Sequence, residues 1–122
     1  MFFWMGPAGT VTPLHHDLTN NLMMQVRGRK RVKMIAPDYL PYIYNELHCY
    51  SSVDPENVDR DRYPLFDNVR VIDVTIGPGD ILFLPVGWWH HVRGLDPTIT
   101  ITCTNFRGIN RFTDHYHTYE RI

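Results

Sequence analysis

The chain has 122 residues, 43% of them hydrophobic and 20% charged, which fits one globular domain and excludes a disordered, collagenous or multi-domain chain. Twelve Lys and Arg against thirteen Asp and Glu leave a formal charge of -1, so no global field draws it to nucleic acid or to an anionic membrane. Two cysteines, Cys49 and Cys103, are too few for a disulfide scaffold and read as small core residues in a reducing cytoplasm.

Met1 to Met5 is apolar but lacks a basic leader and is too short for a signal peptide, so Phe2 to Met5 reads as a strand. Gly6-Pro7-Ala8-Gly9 turns the chain into a second short strand, Thr10 to Leu14. Asn21 to Val26 and Lys30 to Ile35 flank Arg27-Gly28-Arg29, the pattern of a tight hairpin. Alternation then puts Lys30, Val32 and Met34 on one face of the second arm, an unusual apolar setting for a lysine. Pro37-Asp38 with Tyr39, Leu40, Ile43, Tyr44 and Leu47 predicts a short helical segment with Asp38 as its N-cap.

Ser51 to Asp67, rich in Asp, Arg, Pro, Asn and Ser, reads as a long surface loop. Val69 to Ile76, Ile81 to Leu84, Trp88 to Val92 and Thr98 to Phe106 are further strands, with a Gly77-Pro78-Gly79-Asp80 turn between the first two. In the last strand Ile99, Ile101, Cys103 and Asn105 share one face, expected to point inward, and four threonines share the other. Many short strands with Gly and Pro turns and little helix predict an all-β sandwich or barrel, a single domain over residues 1–122. No apolar run is long enough for a membrane span, so the expectation is a soluble cytoplasmic protein without a membrane partner.

His15-His16-Asp17 and His90-His91 each end a strand-like run. In extended chain His15 and Asp17 point to one face and hold two adjacent sites of a divalent metal; His90 or His91, on a strand opposite, supplies a third. Two histidines and a carboxylate occupy one face of an octahedral iron and leave three positions for a bidentate co-substrate and dioxygen. The spacing alone also fits strand-end histidines beside a surface carboxylate. Lys30 alone also fits a solvated turn lysine, since five of the seven residues Arg27 to Lys33 are basic. His115-Tyr116-His117 is a rival metal pair in a polar tail. Trp4, Trp88 and Trp89 read as packing residues.

T-P-L-H-H-D, the G-R-K turn, P-G-D-I-L-F-L-P-V-G-W-W-H-H and T-N-F, in that order from Gly9 to Phe106, resemble the JmjC or cupin-like 2-oxoglutarate-dependent oxygenases, with the nearest likeness to the asparaginyl hydroxylase branch that inhibits hypoxia-inducible factor. The resemblance implies a double-stranded β-helix, the jelly-roll of cupins. It places Fe(II) on His15, Asp17 and His90, with His91 pointing away. It places the far carboxylate of 2-oxoglutarate on Lys30 and Thr12, with Asn21 and Asn105 as amides near co-substrate and iron. The activity implied is hydroxylation of a C-H bond, foremost on a protein or peptide side chain, with release of succinate and carbon dioxide. Only Met1 to Leu14 precede the H-x-D motif, so a fragment or minimal core of the family is expected, and Arg107 stands where the likeness has a tryptophan. The alternatives are a small-molecule oxygenase, a catalytically silent metal-binding module, and a cupin-like isomerase or dioxygenase without co-substrate. A barrel this short also leaves edges that favour a homo-oligomer.

Overall fold

A computed structural model of the chain describes residues 1–106, Asn105 and Phe106 by backbone only. Among the described residues ten strands run in chain order: β1 (Phe2–Gly6), β2 (Val11–His16), β3 (Asn20–Arg27), β4 (Lys30–Ile35), β5 (Asn45–Leu47), β6 (Tyr50–Ser51), β7 (Ile72–Ile76), β8 (Ile81–Leu84), β9 (Trp89–Gly94) and β10 (Thr98–Phe106). They form two antiparallel sheets, one ordered β1-β10-β3-β8 and the other β5-β6-β2-β9-β4-β7. This is the all-β jelly-roll expected from the sequence.

From β1 to β4, and again from β7 to β10, consecutive strands alternate between the two sheets. The expected hairpin at Arg27-Gly28-Arg29 is therefore not a hairpin: β3 pairs with β10 and β8, and β4 pairs with β7 and β9. A single Gly signals a tight reversal of the chain, and local sequence does not say whether the outgoing strand pairs with the incoming one or crosses to a facing sheet. Gly28 has φ +69°, and a Cβ there would lie 2.3 Å from the Pro97 carbonyl oxygen, so the corner requires glycine. Gln25 braces the corner from inside, donating Nε2–H to the carbonyls of Arg27 (2.7 Å) and Gly28 (2.9 Å) and accepting the Thr100 hydroxyl (2.7 Å).

Between the sheets, Met23 and Leu84 meet Val32, Met34, Ile76 and Val92 in an apolar cluster. The β4 alternation holds: Val32 and Met34 are buried in this layer and Lys30 shares their face. The outward residues of β4 pair across the surface, Arg31 and Lys33 with Asp73 on β7, and Arg29 of the corner with Asp96.

A second core lies on the outer face of the six-stranded sheet, where Leu14, Ile35 and Trp89 are covered by Ile43, Val53, Tyr63 and Phe66. The segment expected as a surface loop, 51–67, thus contributes core residues, and it ends in a 3-10 helix, Pro64–Asn68. The expected helical segment is the 3-10 helix Pro37–Tyr42, whose N-cap is Ala36 rather than Asp38; Pro37 at its first position fixes the start and Asp38 sits in the first turn. Pro41 inside it contributes no backbone donor, which keeps the segment short.

In β10 the facing is the reverse of the expectation. Thr98, Thr100 and Thr102 are buried between the sheets, and Ile99, Ile101 and Cys103 are half-buried on the outer face. That outer face also carries exposed Phe3, Met5, Ile81 and Phe83, so apolar character does not mark the interior of this small sheet. Register shifts between Cys103 and Phe106 also break the alternation on which the inward placement of Asn105 rested. Cys49 is likewise half-buried rather than in the core, and both cysteines are free.

Candidate metal and co-substrate site

The site is built at a break in strand regularity. Thr12 pairs with Val92 and His15 with His90, so the register shifts across Pro13-Leu14, where proline contributes no ladder donor. The shift turns both Thr12 and His15 toward the space between the sheets, although three residues apart they would alternate in a regular strand. Leu14 and His16 point the other way, into the outer core, where His16 meets the Trp89 indole edge to face at 4.9 Å.

His15, Asp17 and His90 converge, one ligand atom from each lying within 4.8 Å of the others. His15 Nε2 is 3.8 Å from Asp17 Oδ1, and His90 Nε2 is 3.8 Å from Asp17 Oδ2. On the far side of each ring, His15 Nδ1 lies 2.8 Å from the Pro13 carbonyl and His90 Nδ1 lies 3.1 Å from that of Trp88. A carbonyl only accepts, so each Nδ1 carries the hydrogen and each Nε2 turns a lone pair toward Asp17. Burial, and the neighbouring His15, push His90 down to about 4, so it is neutral as a metal ligand must be. His91 points away as expected.

A cavity partly open to solvent extends from this cluster and is lined by Trp4, Thr12, Asn21, Met23, Lys30, Val92, Thr100 and Thr102 as well. Burial lowers the Lys30 ammonium from its ordinary value, and no described residue pairs with it. Asn21 donates Nδ2–H to Asp17 Oδ2 at 3.2 Å, while its Oδ1 is buried without a partner among the described residues. Two imidazoles, one carboxylate and a lysine ammonium that pairs with no described residue, all lining one cavity, fit a divalent metal together with a dianionic chelator.

Of the residues expected at the site, Thr12, His15, Asp17, Asn21, Lys30 and His90 line one cavity. The side chain of Asn105, and Arg107, His115 and His117, lie outside the described residues. Reasoning from sequence missed Thr100 and Thr102, and read Trp4 as packing. Trp4 instead borders the cavity, half-exposed, and donates Nε1–H to the Thr102 hydroxyl at 2.9 Å. The signal was the threonine alternation itself: hydroxyls at every second position suit a polar cavity wall.

A family model described as the cupin-like domain matches residues 1–111. The chain belongs to this family. The cupin-like chain is 37% identical over 103 residues to lysine-specific demethylase 8 of Xenopus tropicalis, covering 81% of this chain and 23% of that protein. It is 39% identical over 103 residues to JmjC domain-containing protein D of Dictyostelium discoideum (80% and 23%) and 40% identical over 106 residues to HSPB1-associated protein 1 of Rattus norvegicus (80% and 22%). It therefore spans about a quarter of the length of the curated relatives it matches.

Proposed function

We propose that this cupin-like domain is the metal and co-substrate core of an Fe(II)- and 2-oxoglutarate-dependent oxygenase that hydroxylates a C-H bond on a protein side chain. The observation that carries the reading is the combination of a two-histidine, one-carboxylate cluster with a half-buried lysine, unpaired among the described residues, in a single cavity. Iron bound there, with 2-oxoglutarate and dioxygen, would supply the oxidant that places one oxygen atom in the substrate and the other in succinate as carbon dioxide leaves.

The chain's own residues bind and orient. His15 and His90 offer Nε2 because the Pro13 and Trp88 carbonyls hold their other nitrogens. Asn21 fixes one oxygen of Asp17. Lys30 gives the far carboxylate of 2-oxoglutarate a counter-charge in a cavity that could not otherwise hold an anion, and the Thr12 hydroxyl adds a neutral donor. Val92 and Met23 keep the inner wall apolar and limit water. Asp17 and His15 lie toward the solvent side, being more exposed than His90, so a substrate side chain reaches the metal from there.

A protein substrate is supported by relatives named for lysine demethylation, which makes an N-methyl-lysine peptide the first substrate to try. The test is anaerobic titration of the chain with Fe(II) and 2-oxoglutarate, following the visible metal-to-ligand charge-transfer band. A band absent in His90→Ala supports the reading; a folded, iron-loaded chain without the band overturns it. Succinate formation without any modified peptide would overturn the protein-substrate half alone.

A further inference from the structure

On the outer face of the six-stranded sheet, remote from the cavity wall, the neighbour of His90 meets two acids of the 51–67 excursion. His91 is almost fully enclosed, its side chain 3% exposed. One ligand atom each from His91, Asp54 and Glu56 lie within 4.8 Å of one another. His91 Nε2 stands 4.0 Å from Asp54 Oδ1, beyond hydrogen-bond reach, and its Nδ1 is buried with no partner among the described residues. Neither ring nitrogen makes a hydrogen bond to a described residue, and the Nε2 edge is the one turned toward Asp54, so the enclosed ring presents that nitrogen to the acids without a hydrogen-bond partner.

We propose that Asp54, Glu56 and His91 form a second metal site, for Zn(II) or a similar borderline divalent cation, which clips the excursion to β9. One imidazole nitrogen and two carboxylate oxygens are a donor set such ions accept, and the exposed side of Asp54 leaves water to complete the coordination. The positive groups nearby are already engaged. The Arg93 guanidinium donates to Glu56 Oε2, leaving Oε1 for a cation, and ligand carboxylates are commonly supported by such an outer hydrogen bond. Lys33, opposite His91 on β4, gives its ammonium to Asp73 at 2.9 Å. With a neutral imidazole the four groups sum to one negative charge, which a divalent cation reverses without crowding like charges. The clip joins a segment that supplies Val53, Tyr63 and Phe66 to the outer core, so its effect falls on the stability of that layer.

The experiment uses Zn(II) on a chain carrying Asp17→Ala, which disables the first cluster, with bound metal measured after equilibrium dialysis. One Zn(II) per chain is expected, with a rise in melting temperature on loading. Adding Asp54→Asn, at a position more than half exposed and outside the Arg93 pair, should weaken binding at least tenfold and remove the rise, with near-UV circular dichroism unchanged. Two results would overturn the proposal: a folded Asp17→Ala chain that binds no Zn(II), or an Asp17→Ala, Asp54→Asn chain that binds it undiminished, which would place the metal elsewhere, for instance on His115 and His117. The site is independent of the proposed oxygenase function, since its readouts need neither iron nor 2-oxoglutarate.

Discussion

Asn21 on β3 donates its side-chain N–H to Oδ2 of Asp17, just beyond β2, so a residue of one sheet orients a metal-ligand candidate of the other. The other Asp17 oxygen faces His15. With Nδ2 so engaged and Oδ1 buried without a partner among the described residues, Asn21 holds the carboxylate at the cost of an acceptor that a bound ligand donor or water would satisfy. Asn21→Ala should therefore lower affinity for Fe(II), or for Mn(II) as its substitute, by about 10- to 100-fold. Metal titration against the unaltered chain measures this, and unchanged affinity would show that Asp17 is held by its own backbone.

Lys30 is matched to a ligand rather than to the fold. Its ammonium is half-buried, no described residue pairs with it, and burial lowers its pKa. Lys30→Met keeps the stem volume and removes the charge, so the metal-free chain should be as stable or gain up to about 1 kcal/mol in urea unfolding. The same change should abolish 2-oxoglutarate binding while leaving metal binding intact. A clear loss of stability would instead assign Lys30 a structural partner.

Acid should destabilise the metal-free chain well above the carboxylate range. Burial holds His90 at about 4, below its ordinary 6.5, and lowers His16 and His91 in the same direction. Around His90 the charged or titratable neighbours are His15, His16 and Asp17, and only Asp17 opposes the shift. The folded chain then binds fewer protons than the unfolded chain once the pH drops below about 6.5, so stability is fully present above that value and falls as the pH descends toward 4. A further loss follows between 3.8 and about 2, where Asp73 gives up its pairing with Arg31 and Lys33. Urea midpoints at pH 7.5, 5.5 and 4.5 check the sign; a midpoint flat across that range would contradict it.

Part of the candidate site was legible from local rules, since alternation put Lys30 with Val32 and Met34, and His15 with Asp17, whereas Thr12, Asn21 and the choice of His90 over His91 rested on the family resemblance alone. What failed was non-local. The Arg27-Gly28-Arg29 turn looks the same whether the next strand pairs with the last or crosses to a facing sheet, and in a jelly-roll it crosses. The β10 facing reversed because a polar cavity takes the threonines while the outer face of the small sheet stays apolar. Tyr63 and Phe66 hid in a polar, aperiodic segment, since one short 3-10 turn and isolated apolar anchors leave no period to detect.

Two of the glycine corners offer the sharpest test of the crossing topology. Gly28 and Gly79 both have positive φ, +69° and +95°, so alanine at either meets the left-handed backbone penalty of about 1 kcal/mol. Their surroundings differ. A Cβ on Gly79 would meet nothing within 4 Å, whereas one on Gly28 would strike the Pro97 carbonyl oxygen at 2.3 Å, on the stretch between β9 and β10. That oxygen belongs to backbone and cannot swing aside, so relief requires the β3–β4 corner to part from the β9–β10 connection. Gly79→Ala should cost about 1 kcal/mol and Gly28→Ala at least about 2 kcal/mol more, measured as paired urea unfolding curves. Because Gln25 ties this corner to Thr100 on the cavity wall, Gly28→Ala should also weaken ligand binding in the cavity, while Gly79→Ala should leave it unchanged. Equal costs at the two positions would mean that the corner yields freely and that the strand crossing is not fixed there.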